Sequence, residues 1–153
     1  NLLKLVDDLE KGNRTVNYLK SCLFNTRRMN LVHVSNVVSA IEFLIRTENK
    51  IDSEVFIISD DEYSSNNYRF IENYLVKNLG YKDYVIPNIP IPAFILKILL
   101  KLGQKSNINP AIIYDCHKLL NTGFKKPTLF EDGLANFVQW YKNTAYSGTG
   151  HEN

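Results

Sequence analysis

Two short runs rich in β-branched residues, Leu31-Val32-His33-Val34 and Val55-Phe56-Ile57-Ile58, sit between stretches whose apolar residues recur at helical spacing. Runs of four are too short for helices, and their apolar density suits buried strands. The first run meets Ser35 and Asn36, both good helix N-caps, so strand, cap and helix follow one another. This order predicts an α/β chain with a small mixed sheet and about six helices.

The helices are bounded by recognisable signals. Leu2 to Lys11 is amphipathic and stops at Gly12-Asn13; Val37 to Ile45 carries apolar residues on a face that suits packing on a sheet, with Glu42 and Arg46 as an i,i+4 pair. Asn67 to Leu79 presents Phe70, Ile71, Tyr74 and Leu75 and stops at Gly80. Tyr84 to Ile86 is a candidate short strand before the prolines at 87, 90 and 92, which lead into a helix over Ala93 to Leu102. Two further helices are expected near Cys116 to Asn121 and Phe130 to Tyr141, with Phe137 and Trp140 buried on the latter. A fully buried Trp140 implies a cost of about 3–5 kcal/mol on truncation to alanine. Residues 1–143 read as one functional portion and 144–153 as a frayed polar tail.

Composition narrows the function classes. The 18 basic and 16 acidic residues give a net charge of +2 without a block of like charge, so no nucleic-acid partner is expected. The apolar stretch Ile89 to Leu102 is interrupted by proline and lysine and is too short to span a bilayer, and the N-terminus lacks the features of a signal peptide. No membrane partner is expected. Cys22 and Cys116 match neither a disulfide framework nor a zinc site, which suits a reducing cytoplasm. An opening in mid-helix reads as a fragment of a longer chain.

Three segments resemble the extended short-chain dehydrogenases that modify nucleotide sugars. Arg28 to Ile41 is similar to the pattern R-[DS]-[FLY]-[VI]-H-V-x-D-[VL]-[AV]-x-A-[IL], through Leu31, Val32, His33, Val34 and Ala40. Asp115 to Pro127 is similar to D-x-S-K-x-x-x-x-[LT]-G-[FW]-x-P, through Asp115, Lys118, Gly123, Phe124 and Pro127. Leu129 to Tyr141 is similar to the closing helix L-x-E-G-L-x-x-T-x-x-W-Y, through Gly133, Leu134, Trp140 and Tyr141. In that family Asp115 would cap a short helix and Gly123 would supply a left-handed residue after it.

The resemblance implies the C-terminal lobe of an extended Rossmann-type enzyme, the substrate-binding portion of an NAD(P)-dependent nucleotide-sugar epimerase or dehydratase. The Gly-rich dinucleotide turn has no match here, so NAD or NADP belongs to the intact parent and no cofactor is expected in this portion. Its partners would be a nucleotide-diphosphate sugar and an N-terminal cofactor domain, with a homodimer possible. A non-catalytic binding or regulatory module on the same scaffold is the alternative.

Four residues are candidates for substrate binding. Arg28 or its neighbour Arg27 would reach the diphosphate, because guanidinium matches phosphate in a forked manner; Met29 stands where the pattern has arginine. Lys105 lies near a second diphosphate-binding position of the epimerases. His33 is either a ligand contact or, given its apolar neighbours, a hydrogen-bonded core residue. No catalytic or metal-binding residue is assigned. Tyr114 and Lys118 spell the family's Tyr-x-x-x-Lys inside the tail motif, where a helix cap already accounts for them. Cys116 and His117 diverge as neighbours, and Asp60-Asp61-Glu62 reads as a solvated loop.

Overall fold

The computed structural model describes residues 2–47, 53–87, 89, 91, 94, 95, 98 and 109–148, with the backbone alone for 145–148. Six helices are found among them: α1 (Leu2–Lys11), α2 (Arg14–Phe24), α3 (Val34–Arg46), α4 (Tyr68–Leu79), α5 (His117–Leu120) and α6 (Phe130–Gly148). The chain divides into two compact units, Asn1–Met29 with Asn67–Ile112 and Asn30–Asn66 with Ile113–Asn153.

Among the described residues the expected mixed sheet is not formed; they are helical, not the α/β lobe of a Rossmann-type enzyme. Among the described residues the sole ladder-type contact is an isolated antiparallel bridge between Arg28 and Asn67. At Leu31 the reason is local. The Asn66 side-chain amide accepts from the Leu31 N–H at 3.1 Å and donates to the Leu31 carbonyl at 2.9 Å, satisfying both groups that a neighbouring strand would take. Val34 then joins α3, three residues ahead of the expected helix start, with His33 rather than Ser35 or Asn36 as its cap. Val55 to Ile58 does keep strand periodicity. Phe56 and Ile58 pack on the core while Val55 and Ile57 face outward, yet no strand pairs with the segment among the described residues. Tyr84 to Ile86 is irregular. The helix expected over Ala93 to Leu102 lies largely outside the described residues.

The first unit is built by α1, α2 and α4. Asn13 follows the Gly12 that ends α1, and its side chain accepts from Thr15 and Val16 N–H, so one Gly-Asn pair ends a helix and starts the next. Val6, Ile71 and Leu75 are fully enclosed, with Leu5, Cys22, Tyr68 and Val76 around them. Gly80 ends α4 at φ +76°, the left-handed conformation expected of it.

Glu72 is a charged group buried within this apolar helix packing. It receives hydrogen bonds from Ser21 on α2 and from Tyr84, the latter at 3.0 Å. Burial raises its pKa above the ordinary 4.5, and the two hydrogen bonds offset only part of that rise. The same burial, with the Glu72 charge behind it, raises the phenols of Tyr68 and Tyr84. Because the folded pKa of Glu72 lies above the unfolded one, the native state binds more protons between the two values and stability falls as pH rises through that window. Glu72→Gln is therefore expected to flatten this slope and to raise the denaturation midpoint at neutral pH, as urea titrations at pH 4 and pH 7 would record.

The second unit centres on Ala40, Leu119 and Phe124, packed by Phe43, Leu44, Phe56, Ile58 and Leu120, with the Phe43 and Phe124 rings 5.6 Å apart. Helix α6 continues to Gly148, beyond the expected start of the tail at 144. Its buried stripe is Phe130, Leu134 and Val138. Trp140 is instead 50% exposed, leaning on Phe137 at 5.9 Å, so the large core penalty anticipated for its truncation does not apply.

Candidate functional site

The four sequence candidates are distributed between the units. Arg27 and Arg28 belong to the first. The Arg27 guanidinium lies 5.3 Å from the Phe24 ring centroid, a cation–π contact at the end of α2, while its backbone carbonyl accepts from Tyr68 N–H. The Arg28 backbone donates to the Pro110 carbonyl at 2.8 Å and bridges Asn67, which fixes the main chain from which its side chain leaves. Lys105 lies outside the described residues.

His33 belongs to the second unit and is held as a structural residue. Its Nδ1 is 3.3 Å from the Ser35 N–H that it caps and 2.6 Å from Ser35 Oγ, which in turn is 2.7 Å from Thr128 Oγ1. The His33 N–H points to Asp60 at 3.4 Å. The His33 side chain packs close to Gly133 of α6: a Cβ there would come 3.1 Å from His33 Cδ2. Next to it, Asn36 is fully enclosed and holds both backbone groups of Thr128, donating to its carbonyl at 2.9 Å and accepting from its N–H at 3.0 Å.

The acidic run 60–62 is not a solvated loop, for Asp60 and Asp61 are almost completely buried. Asp61 accepts from Asn30 at 2.6 Å, from Asn66 at 3.1 Å and from Tyr114 N–H at 2.9 Å. Asp60 pairs with Lys126 at 2.8 Å, and Lys126 also engages Glu62 and the Ser59 carbonyl. Burial works against the Lys126 charge, but its hydrogen bonds to Asp60 and Glu62 outweigh it and hold the ammonium pKa above the ordinary 10.5. Their burial is not visible in the local sequence because Lys126 and Tyr114, the partners of Asp60 and Asp61, lie 66 and 53 positions away.

Beside this framework an open cleft of about 260 Å³ is lined by Glu62, Ile113, Tyr114, Asp115, Cys116 and His117. Cys116 sits at its buried side with Sγ 3.8 Å from Glu62, and burial pushes its thiol up, which disfavours the thiolate. The Asp115 carboxyl accepts the His117 N–H at the start of α5 at 2.8 Å, as expected, although Cys116 holds the cap position, and it is held low by that bond and by the His117 ring. Lys118 engages Glu54 and lies 5.1 Å from the Phe56 ring centroid, so its ammonium serves the fold. Gly123 adopts φ +96° in the turn after α5, the left-handed residue the motif called for.

The chain matches no protein-family model, no curated protein and no solved structure. No helix among the described residues is long and apolar enough to cross a membrane.

Proposed function

We propose that this chain is the portion of an NAD(P)-dependent nucleotide-sugar epimerase or dehydratase that grips the nucleotide diphosphate and selects the sugar. The observation that carries the proposal is the contact between His33 and Gly133. The histidine of the first motif packs on the glycine of the third, 100 positions later, at a distance a side chain would obstruct. Separate motifs drawn from one family would interlock in this way if they descend from it together. The left-handed Gly123 and the bond from His117 N–H to Asp115 support the reading in the second motif. The family's nucleotide-binding sheet is not among the described residues, and the proposal does not place it in this chain. NAD or NADP would be held by the rest of the parent, and the hydride chemistry would take place there.

Expression of the complete reading frame containing this chain, assayed with nucleoside-diphosphate sugars and NAD or NADP, tests the proposal. Turnover of at least one sugar nucleotide is expected. A protein that binds no dinucleotide and alters no sugar nucleotide would reject it.

Arg28 is the side chain proposed for the diphosphate, as the arginine that stands next to the position where the family pattern carries one. In the active parent, Arg28→Ala is expected to raise KM by the equivalent of about 1.5–3 kcal/mol for the lost charge-assisted bonds, with Arg28→Lys intermediate. The maximal rate should change less, because diphosphate grip is shared by ground and transition states. An effect at Arg27→Ala with none at Arg28→Ala would reverse the assignment.

A further inference from the structure

A cleft of about 250 Å³ opens in the first unit between two walls. One wall is the junction of α1 and α2, with Leu9, Glu10, Arg14 and Asn17; the other is the end of α4 and the stretch after it, with Val76, Tyr81, Lys82 and Tyr84. The second wall is pinned at three points. Tyr81 N–H donates to the Val76 carbonyl at 3.0 Å, the Arg14 guanidinium donates to the Asp83 carbonyl, and the Tyr84 hydroxyl donates to Glu72 at 3.0 Å. A cleft held in this way is formed before any ligand enters, so little ordering is needed on binding.

Asn17 is the residue that points to a ligand. It is 5% exposed, and its Nδ2 donates to the Asp8 carbonyl. The amide cannot be reversed, since Oδ1 has nothing to gain from a carbonyl, and no described residue donates to that Oδ1. A buried acceptor without a donor is costly, and a molecule in the cleft that Asn17 lines can supply one. The rest of the lining is of three kinds: Glu10 is anionic, Arg14 and Lys82 are cationic, and Leu9, Val76 and the tyrosine rings are apolar. Arg14 gives one N–H to Asp83 and keeps the remainder of its fork for an anion. A bare anion such as phosphate leaves the Asn17 acceptor and the apolar surface unused, and a hydrocarbon strands the charges. A small molecule with a cationic donor, an anion and a short apolar arm matches all of them. The volume lies below the roughly 300–1,000 Å³ of pockets for drug-sized ligands, which excludes a dinucleotide or a sugar nucleotide.

We infer that this cleft binds a free α-amino acid with an aliphatic side chain, its ammonium on Asn17 Oδ1 and Glu10, its carboxylate on Arg14 and Lys82, and its side chain on Leu9 and Val76. The site is independent of the proposed catalytic parentage.

Calorimetric titration of the purified chain with L-leucine tests the inference, and binding is expected with a Kd of about a millimolar or tighter. Removing one group at a time reads each contact: 4-methylpentanoate lacks the ammonium, leucinamide the carboxylate and glycine the apolar arm. Each should bind at least about tenfold more weakly than leucine. Arg14→Gln retains a donor for the Asp83 carbonyl, so the circular dichroism spectrum should be unchanged while leucine binding falls about tenfold and leucinamide binding does not fall. If that variant perturbs the fold, the three analogues on the wild-type chain decide. No binding of leucine up to about 10 mM would overturn the inference and leave Asn17 to water. Binding of 4-methylpentanoate equal to that of leucine would reduce the cleft to an anion site, and an equal loss of leucine and leucinamide binding in Arg14→Gln would make Arg14 a structural residue; either result overturns the assignment as well.

Discussion

Lys126→Met is expected to lower the unfolding free energy by about 3–5 kcal/mol, the cost of removing one partner from a buried ion pair. The Lys126 side chain is 9% exposed and that of Asp60 only 1%, so little water can replace the ammonium. Methionine fills similar volume, and the loss therefore isolates the charge rather than a cavity. Asp60, still receiving the His33 N–H, would be left without its ion-pair partner at a site almost closed to water, and the Ser59 carbonyl would lose the Lys126 donor. Adding Asp60→Asn to Lys126→Met should recover much of the loss, because replacing both charges removes the uncompensated one. Chemical denaturation of the four members of this cycle provides the measurement; additive effects would show that the two side chains do not interact. The pH dependence has a definite sign. Since Lys126 titrates above its ordinary value, its contribution is complete below about pH 10.5 and is lost as pH rises through the folded value. Wild-type protein should lose this stability in alkali, and Lys126→Met should not.

Asn36→Asp is expected to cost about 2–4 kcal/mol at neutral pH, although the family pattern carries aspartate at this position. Asn36 donates to one Thr128 backbone group and accepts from the other, a reciprocity that a carboxylate cannot reproduce. One oxygen would still accept the Thr128 N–H, while the second would face the Thr128 carbonyl inside a fully enclosed site. A protonated carboxyl can donate as the amide does. The deficit should therefore shrink as pH falls toward the unfolded aspartate value of about 3.9, the opposite of ordinary acid destabilisation. Thermal midpoints of wild type and variant at pH 4 and pH 7 would show this convergence; a constant difference would mean that the Nδ2 bond contributes little.

The helices were legible wherever a local stop signal closed an apolar period. Gly12 and Gly80 end α1 and α4 where expected, and the Asp115 carboxyl accepts the first N–H of α5. Helix α2 has no start signal of its own in the sequence, because the Asn13 that caps it also belongs to the Gly12-Asn13 pair that ends α1. The strands failed for a different reason. β-Branched runs announce an extended backbone, but a sheet needs a partner strand, and at Leu31 the hydrogen-bonding groups are taken by the side chain of Asn66. Burial of Asp60 and Asp61 was illegible for the same kind of reason. Lys126 and Tyr114, which justify that burial, lie 66 and 53 residues away, so the local sequence displays only an acidic turn. Trp140 shows the limit of helical periodicity: it identifies a face without saying which of two neighbouring stripes, Phe137 with Trp140 or Phe130 with Leu134 and Val138, meets the core.

The Asn66 amide has a consequence for solubility. An extended β-branched run with open N–H and C=O groups is a template on which other chains can add strands and nucleate aggregates. By closing both groups of Leu31 with one side chain, Asn66 denies that template to an incoming chain without requiring a charge or a proline in the run. Val55 to Ile58 has no such guard among the described residues and exposes Val55 and Ile57. Of the two runs most prone to pairing, the chain has disarmed the one beside its buried polar framework, and the stickier edge is left at the other.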